Sequence, residues 1–406
     1  MQEVVRASDP RLVALLARQA TQYVDRDQLG LDRIAALLAA LGNPHRRMPP
    51  VFHVAGTNGK GSTCAFIRAG LEAAGHRVHM FTSPHLVRYN ERIRLAGTLI
   101  DDARLAEVMG RVLDANGPVG ASLFEVNTAA AFLAFAETSA DACIVEVGLG
   151  GQHDATNIID RPLVCGIASV GLDHEGFLGN RLAGIATEKA GIAKRGVPLV
   201  SLAQPQEAER AIVEVASKNG AALLLEDRDW TLDPTLRPAL PGAHQVRNAN
   251  LAWQMLAAQS VLAVSRAEFE TGLATANWPA RFQRLPDGPL TNGIETWLDG
   301  AHNPDAAAAL AALLAEQGPM HLVLGILAGK DAAAIVDLLK PHALSLTFVP
   351  IPDHDAHNPQ ALADRFGGRA ATDLVDALQP LPAPRLIAGS LYLAGVALSL
   401  NGSLPD

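Results

Sequence analysis

One segment restricts the fold more than any other: a short apolar run, a glycine-rich turn and a helix start follow one another directly. The run is Val51-Phe-His-Val-Ala, the turn begins at Gly56, and Lys60 stands where the helix starts. Glycines let backbone N–H groups face an anion, a helix N-terminus adds positive potential, and a lysine reaches terminal phosphates. The segment therefore predicts a phosphate-binding loop on a parallel α/β sheet. A tight glycine turn with an exposed lysine is the alternative.

The whole loop is assigned to nucleotide phosphates. Its residues are Gly56, Thr57, Asn58, Gly59, Lys60, Gly61 and Ser62. The match to the general phosphate-loop pattern is imperfect, because Gly61 stands where a magnesium-binding hydroxyl usually follows the lysine. Part of the metal shell is therefore expected to come from other strands.

An alternation of short β-branched runs with longer Ala- and Leu-rich segments continues from the loop onward and is typical of a parallel α/β sheet. A run containing Gly97, at 93–100, predicts a hairpin on the sheet edge. Strands are predicted at 51–55, 78–82, 142–147, 164–170, 198–202 and 222–225, and helices at 61–74, 125–137, 181–193, 244–261 and 266–274.

A second alternating series begins after a Pro-containing break near Asn277 to Arg281. Its predicted strands are 295–298, 321–326, 344–349 and 385–388, and its predicted helices are 305–316, 331–339 and 391–398. A chain of 406 residues exceeds the usual size of one core. The expected fold class is α/β, with a phosphate-loop mononucleotide-binding domain at 1–278 and a smaller Rossmann-like domain at 279–406.

Composition excludes several classes of protein. A formal charge of −9 disfavours non-specific attraction to nucleic acid or anionic lipid. Cys64, Cys143 and Cys165 lack CxxC spacing, so they indicate buried thiols in a reducing compartment. The first 20 residues lack the uninterrupted apolar core of a secretory signal, and no apolar run is long enough to span a membrane. A cytoplasmic protein is expected, with a monomer as the default state.

Polar residues follow three of the predicted strands, at the sheet edge where ligands bind in open parallel sheets. Ser83 follows the second strand, Glu146 ends the third, and Asp173 and His174 follow the fourth. A carboxylate at the tip of an apolar strand is the group that holds Mg²⁺ against ATP phosphates. Ser83 would supply the hydroxyl that Gly61 cannot, and His174 would bind a second divalent ion. Each of these residues alone is more often a satisfied loop residue.

With these residues in place, the sequence resembles the folylpolyglutamate synthase and dihydrofolate synthase family, a branch of the Mur ligase superfamily. The resemblance covers nearly the whole chain. It rests on Val54-Ala-Gly-Thr-Asn-Gly-Lys-Gly-Ser-Thr, Thr82-Ser-Pro-His-Leu, Val145-Glu-Val-Gly-Leu-Gly-Gly, Asp154-Ala-Thr-Asn, Leu172-Asp-His, Glu188-Lys-Ala-Gly-Ile, Arg281-Phe-Gln, Asp299-Gly-Ala-His-Asn-Pro and Gly389-Ser-Leu-Tyr.

The resemblance implies roles for individual residues. Ser83, Glu146 and His174 would be ligands of two magnesium ions, and Lys189 matches a carbamylated lysine that adds oxygen ligands for the second ion. A helical lysine paired with a surface acid is the alternative for Lys189. The implied nucleotide contacts outside the loop are Asn248, Arg281, Asp299 and His302. Asn303 ahead of Pro304 also fits a helix N-cap.

The resemblance also implies where a pterin-bearing substrate binds. The residues are Asp27, Gln28, Leu29, Gly30, Phe124 and Asp154. Phe124 is suited to stacking on a heteroaromatic ring, although a core phenylalanine is the commoner role. The sequence departs from the family at Gln152-His153, where an arginine followed by an apolar residue is more usual.

The implied activity is ATP-dependent ligation of L-glutamate to dihydropteroate or a reduced folate through an acyl phosphate, with Lys60, Lys189 and His174 as the catalytic residues. A Mur-type peptide ligase is the nearest alternative, but only about fifty residues precede Gly56, too few for a nucleotide-sugar domain. A nucleotide-dependent switch that hydrolyses ATP without forming a bond is an alternative from another class.

Overall fold

Two sheets, each covered by helices, organise the chain. The computed structural model describes residues 9–21, 30–173 and 175–406. Within these residues the first sheet has the strands β1 (Val51–Ala55), β2 (Val78–Phe81), β3 (Ile93–Leu95), β4 (Thr98–Leu99), β5 (Ala142–Glu146), β6 (Val164–Ile167), β7 (Pro198–Ser201) and β8 (Ala222–Leu225). Their order is β4-β3-β2-β5-β1-β6-β7-β8, and all pairs are parallel except β2·β3 and β3·β4.

Ten α-helices among the described residues accompany the first sheet. They are α1 (Pro10–Thr21), α2 (Asp32–Ala40), α3 (Lys60–Ala73), α4 (Asp102–Asn116), α5 (Leu123–Glu137), α6 (Glu175–Leu178), α7 (Leu182–Ala190), α8 (Gln206–Asn219), α9 (Ala243–Ala257) and α10 (Arg266–Leu273). Phe52 and Val54 of β1 pack with α3 and α9 on one face, and Cys143 and Val145 of β5 pack with α4 and α5 on the other. Because both faces are covered, the central strands are apolar along their whole length.

The second sheet contains the strands β9 (Gln283–Arg284), β10 (Thr296–Leu298), β11 (Met320–Leu324), β12 (Ala343–Phe348), β13 (Arg369–Ala370) and β14 (Arg385–Ala388) in the order β13-β12-β11-β14-β10-β9, with β9 antiparallel. Its helices are α11 (Pro304–Gln317), α12 (Ala332–Leu339), α13 (Pro359–Phe366), α14 (Leu374–Leu378) and α15 (Leu391–Leu400). The loop after β2 packs against this unit: Leu86 and Val87 join the core that contains α15. Gly395 on α15 lies so close to Leu86 that a Cβ there would stand 1.9 Å from the Leu86 carbonyl oxygen.

The predicted α/β class and the edge hairpin are confirmed, and every predicted strand is present within three residues of its expected ends. The helix predicted at 244–261 ends earlier, at Ala257. The side chain of Gln259 causes this difference, because its amide donates to the Leu256 and Leu262 carbonyls and accepts from the Val261 and Leu262 N–H groups. Periodicity did not predict α1, α2, α4, α6, α8, α13 or α14.

Candidate active site at the junction of the two sheets

The glycine-rich loop between β1 and α3 is fixed against the segment that follows β6. The N–H groups of Thr57 and Asn58 donate to the Ser169 carbonyl at 2.7 and 3.2 Å, and Thr57 Oγ1 lies 3.0 Å from both the N–H and the carbonyl oxygen of Gly171. The first N–H groups of α3 have no partner within a helix, so they remain free to bind a ligand at its N-terminus. The loop therefore has the form of a phosphate cradle.

Asn248 on α9 packs against the glycine-rich loop. Gly59 has φ +89°, a conformation that favours glycine, and a Cβ there would stand 2.4 Å from Asn248 Oδ1. The Asn248 amide is buried and donates to Gln245 Oε1 at 3.2 Å. Asn248 thus contacts the loop backbone, and it lines the same cleft.

Two hydroxyl groups at the start of α3 are buried and unpartnered among the described residues: Ser62 Oγ and Thr63 Oγ1. A buried hydroxyl without a hydrogen bond costs free energy, so its presence beside a phosphate cradle favours a ligand that binds there. Ser62 lines the cleft, one position beyond the Gly61 that breaks the general pattern.

Two lysines converge on one backbone oxygen of the loop. Lys60 Nζ donates to the Gly56 carbonyl at 3.0 Å and to the Thr57 carbonyl at 3.1 Å, while Lys189 Nζ, from α7, donates to the same Gly56 carbonyl at 3.1 Å. Lys189 is 5% exposed. Burial, with a smaller effect of nearby Lys60, lowers the pKa of the Lys189 amine to about 7. Near neutral pH this amine is therefore partly uncharged and nucleophilic.

Glu146 and Ser83, predicted from separate strand ends, lie together. The Ser83 N–H donates to Glu146 Oε2 at 3.3 Å, and both residues line the cleft beside the loop. Burial raises the pKa of the Glu146 carboxyl, and Lys60, the Ser83 N–H and Arg281 act in the opposite direction. A buried carboxylate and a serine in the same cleft offer hard oxygen donors of the kind Mg²⁺ prefers.

His174 lies outside the described residues. Among the residues that the structure does describe, no group of three or more His, Cys, Asp and Glu side chains is close enough to hold a metal ion by itself. The fit to a magnesium ion therefore rests on Glu146 and Ser83, and His174 as a metal ligand stays a prediction.

Three predicted nucleotide contacts reach the cleft from the second unit. Asp299 accepts the Phe282 and Ala301 N–H groups, each at 2.8 Å, and His302 Nδ1 lies 2.8 Å from the Gly300 carbonyl. Burial lowers the pKa of Arg281, whereas Asp299 and Glu146 raise it. All eleven residues predicted to bind ATP line one cleft, together with Ser83, Glu146 and Lys189.

A polar network across the cleft was not predicted. Asn58 and Asn303 exchange a reciprocal pair of amide hydrogen bonds at 3.0 and 3.1 Å. Asn303 also caps α11 and donates to Asp173 Oδ2 at 3.1 Å, and Lys330 forms an ion pair with the same carboxylate. His302 Nε2 lies 3.5 Å from Asp173. The phosphate loop is thus bonded directly to the second unit.

Trp278 is a second contact that no local pattern indicated. A Cβ on Gly61 would stand 2.6 Å from Trp278 Nε1 and within 3.0 Å of two further ring atoms. The missing hydroxyl at this position therefore has a physical reason, because the indole occupies the space that a serine side chain would need.

Substitution of Gly61 by serine is expected to raise KM for ATP by about tenfold, since overpacking of this kind costs about 1 to 3 kcal/mol. The double variant Gly61→Ser/Trp278→Leu should recover most of the affinity, because leucine leaves room for the Cβ. Steady-state kinetics at saturating co-substrates measure both values. An unchanged KM in Gly61→Ser would show that the indole does not restrict this position.

Of the predicted pterin contacts, Phe124 and Asp154 contact residues that line this cleft, and others lie outside the described residues. The latter holds for Asp27, Gln28 and Leu29, whereas Gly30 precedes α2. The half-buried ring of Phe124 lies over Gly148, where a Cβ would stand 2.3 Å from it. Asp154 accepts hydrogen bonds from the N–H groups of Gly148, Leu149 and Thr156 and from the Thr156 hydroxyl. Its carboxylate therefore shapes the loop after β5, and pterin binding at these residues stays a prediction.

The departure from the family at Gln152-His153 produces a contact beside Lys189. His153 Nδ1 lies 3.1 Å from Glu188 Oε1, and the Gln152 N–H donates to the Glu188 carbonyl at 2.7 Å. The Gln152 side chain packs over Gly191. The two unusual residues therefore support the end of α7 that carries Lys189.

Comparison with known proteins agrees with this architecture. A family model described as "Mur ligase, glutamate ligase domain" matches residues 280–384. The folylpolyglutamate synthase of Lacticaseibacillus casei is 34% identical over 89% of this chain and 92% of its own length. The structure of Mycobacterium tuberculosis folylpolyglutamate synthase complexed with ADP superposes with a TM-score of 0.88 at 30% identity, covering 98% of this chain and 99% of that one.

A Yersinia pestis bifunctional folylpolyglutamate synthase/dihydrofolate synthase complexed with AMPPNP and a Mn ion gives a TM-score of 0.87 at 31% identity, over 98% and 99% of the two chains. The fold and the site define an ATP-dependent carboxylate–amine ligase of the Mur ligase type. More narrowly, the chain belongs to the folylpolyglutamate synthase and dihydrofolate synthase family. Across the described residues, no helix combines the length and the apolar character needed to cross a bilayer.

Proposed function

We propose that this chain joins the amino group of L-glutamate to the carboxylate of dihydropteroate, of a reduced folate, or of both. The convergence of Lys60, Lys189 and Glu146 beside the glycine-rich loop is the observation that carries the proposal. A carboxylate and an amine do not condense unaided in water, and the site holds the groups needed to activate the carboxylate with ATP.

The reaction consists of two transfers. A carboxylate oxygen of the substrate attacks the γ-phosphorus, the bond to the β-phosphate oxygen breaks, and ADP leaves an acyl phosphate behind. The neutral amine of glutamate then attacks the acyl carbon, phosphate departs, and the amine loses a proton. Lys60 stabilises negative charge on the transferring phosphoryl group through its fixed ammonium.

Water would hydrolyse the acyl phosphate, so the site has to exclude it. The amide pair of Asn58 and Asn303 and the ion pair of Asp173 and Lys330 hold the second unit over the loop. Closure by these contacts gives the polar network a function in the reaction. The two separate sheets support the division of the chain into domains at 1–278 and 279–406.

We also propose that two Mg²⁺ ions take part and that Lys189 is carbamylated. Glu146 and Ser83 would hold one ion, and His174 and the carbamate of Lys189 would hold the other. Bound Mg²⁺ neutralises charge on the ATP phosphates. Support comes from the buried donor set at Glu146 and from the lowered pKa of the Lys189 amine. The three buried free thiols support residence in the cytoplasm, and a monomer stays a prediction.

ADP release in the presence of dihydropteroate or tetrahydrofolate, each with and without L-glutamate, tests the proposal. Rapid release is expected only when both an acceptor and glutamate are present, and mass spectrometry should show the glutamylated product. ATP hydrolysis that is indifferent to acceptor and glutamate would instead identify the nucleotide-dependent switch.

Substitution of Glu146 by glutamine is expected to raise the Mg²⁺ concentration for half-maximal activity by about tenfold or more, because an amide oxygen is a weaker metal ligand than a carboxylate. Glu226→Gln is the matched control, since Glu226 is also a buried carboxylate but pairs with Arg247 at 2.8 Å. An unchanged Mg²⁺ requirement in Glu146→Gln would remove this residue from the metal shell.

A further inference from the structure

A buried histidine lies on β1, shortly before the phosphate loop begins at Gly56. His53 is fully buried, and it points to the face of the sheet opposite to the one where Phe52 and Val54 pack with α3 and α9. Central strands that are covered on both faces normally carry apolar side chains. An imidazole at this position therefore departs from the pattern of its own strand.

The imidazole of His53 is bonded through one of its two nitrogens. Nε2 lies 2.9 Å from the hydroxyl oxygen of Thr156, whereas Nδ1 is buried and has no hydrogen-bond partner in the part of the chain that the structure describes. Thr156 is also fully buried and belongs to the single 3₁₀ turn Ala155–Ile158. Burial lowers the pKa of His53 to about 3, so the ring is neutral near neutral pH and carries one N–H hydrogen.

The hydroxyl of Thr156 donates in turn to the Asp154 carboxylate. The N–H groups of Gly148 and Leu149 donate to Asp154 Oδ2 at 3.0 and 2.8 Å, and the Thr156 N–H donates to Oδ1 at 2.9 Å. Burial raises the pKa of this carboxyl, and these four hydrogen bonds act in the opposite direction. Because backbone N–H groups can only donate, both oxygens are acceptors, as they are in the anion. Asp154 therefore ends a chain of hydrogen bonds that begins at His53.

The number of hydrogens fixes the direction of this chain. The Thr156 hydroxyl gives its one hydrogen to Asp154, so its oxygen accepts from His53 Nε2, and Nδ1 is a bare lone pair. The reverse direction would need a protonated Asp154 and would leave a buried Nδ1–H without an acceptor, and buried N–H groups of this kind are rare. The three residues His53, Thr156 and Asp154, linked in this direction, are called the His53 relay.

The His53 relay ends on a wall of the active-site cleft. Gly148 and Leu149, whose N–H groups donate to Asp154, line the cleft after the strand that ends at Glu146. The residues assigned to ATP belong to the phosphate loop, to α9 and to the second unit, so none of them lies in this segment. The wall at 147–150 is therefore left for the other substrate that has to reach the γ-phosphate, which is the acceptor carboxylate.

This wall depends on side-chain hydrogen bonds for its shape. It is rich in glycine, and Gly150 has φ +69°, so the backbone alone does not select one conformation. Without the donor of His53, the Thr156 oxygen would be buried and unsatisfied, and the hydroxyl would turn from Asp154 toward another partner. The carboxylate and the N–H groups bonded to it would then lose their fixed position.

We propose that His53 is a positioning residue for the acceptor, an inference that rests on the proposed function. Through Thr156 and Asp154 it fixes the wall at 147–150, against which the reacting end of the acceptor binds while its carboxylate attacks ATP. His53 itself touches neither substrate. The relay joins the strand that leads into the phosphate loop to the wall that meets the acceptor, so both reactants are held by one rigid unit.

The test measures binding of dihydropteroate, tetrahydrofolate and ADP by isothermal titration calorimetry, each titrated separately into the full chain. His53→Phe keeps a ring without the donor, and Thr156→Val keeps the shape without the hydroxyl. Each should raise Kd for the acceptor about tenfold and leave Kd for ADP within about twofold of wild type. His53→Gln should recover most of the affinity, because its amide nitrogen stands as many bonds from the backbone as Nε2 does.

His79→Phe is the matched control. His79 is a fully buried imidazole on β2 that is bonded to the Thr138 carbonyl and the Ala96 N–H, and it does not line the cleft. Its substitution should leave Kd for acceptor and ADP within about twofold. The double variant His53→Phe/Thr156→Val should bind the acceptor no more weakly than either single variant, since both changes remove the same hydrogen bond. Equal losses for ADP and acceptor, or an equal effect of His79→Phe, would overturn the positioning role.

NMR of ¹⁵N-histidine-labelled wild-type protein tests the relay without any variant that has to retain full stability. The His53 signals, assigned by their loss in His53→Gln, should show a protonated Nε2 and a bare Nδ1, and the opposite tautomer would overturn the relay. Ligation assays separate this inference from the proposed function. Ligation by wild type with an unchanged acceptor Kd in His53→Phe and Thr156→Val would overturn the positioning role alone. Relay-dependent binding of the acceptor without any glutamylated product would overturn the proposed function alone.

Discussion

Replacement of Lys60 by alanine is expected to lower kcat for ligation by about 10³-fold or more, because a fixed cation beside the transferring phosphoryl group is worth about 4 kcal/mol in a site that excludes water. The substitution also removes two hydrogen bonds to the Gly56 and Thr57 carbonyls. Stopped-flow or steady-state measurement of ADP release gives the loss, and product formation should fall in parallel.

The fold should survive this substitution, since two effects on stability oppose each other. Loss of the ammonium removes hydrogen bonds from the loop, but it also removes a like charge that, in addition to burial, lowers the pKa of Lys189. Lys194→Ala is the matched control: Lys194 is a half-buried lysine that donates to the Asn157 carbonyl at 3.1 Å. Activity of Lys60→Ala close to that of Lys194→Ala would refute the assignment of the phosphate loop.

The sequence predicts those parts of the site that depend on short-range sequence patterns. A strand, a glycine turn and a helix start indicate the phosphate loop, because each is a short-range signal with its own physical cause. The pairing of Ser83 with Glu146 also follows, since the carboxyl ends of parallel strands meet at one edge of a sheet. This rule on parallel strands applies without knowing the order of the strands in the sheet.

The parts that could not be predicted depend on contacts between distant segments. Trp278 lies over Gly61 across more than two hundred residues, and Lys330 reaches Asp173 from the other unit. Neither the residue types nor their spacing in the sequence predicts these two contacts. Asp154 shows a different limit: its motif is distinctive in the sequence, but only the structure shows that its carboxylate accepts hydrogen bonds from the N–H groups of its own loop.

Loss of the Lys189 amine is expected to reduce ligation by at least about 10²-fold, because it would remove both the proposed carbamate and the oxygen ligands that the carbamate would supply. In Lys189→Ala the truncated side chain leaves space, so added formate or acetate should restore part of the activity by supplying a carboxylate. Lys189→Met fills that space and should not respond. Measurement of ligation against carboxylate concentration at constant ionic strength distinguishes the two variants.

Carbamylation also predicts a dependence on CO₂ and pH. The neutral amine attacks the carbon of CO₂, an N–C bond forms, and a proton is released to leave a carbamate anion. With a pKa of about 7, about half of the unmodified amine is neutral at pH 7 and about one tenth at pH 6. Protein freed of CO₂ should therefore lose activity and regain it on addition of CO₂, more slowly at pH 6 than at pH 8 when the concentration of dissolved CO₂ is the same at both pH values.

Stability supplies an independent measure of the same buried amine. The pKa of the Lys189 amine falls from an ordinary value of 10.5 to about 7 in the folded protein. Between pH 7 and pH 10.5 the amine is therefore mostly protonated in the unfolded chain and mostly neutral in the folded protein. The free energy of unfolding should then rise as pH increases from about 7 to about 10, and Lys189→Met should exceed the CO₂-free wild type in stability at pH 7 but not at pH 10. Equal stability at both pH values, together with activity indifferent to CO₂ at pH 6, would show that Lys189 is neither a titrating buried amine nor the site of a carbamate.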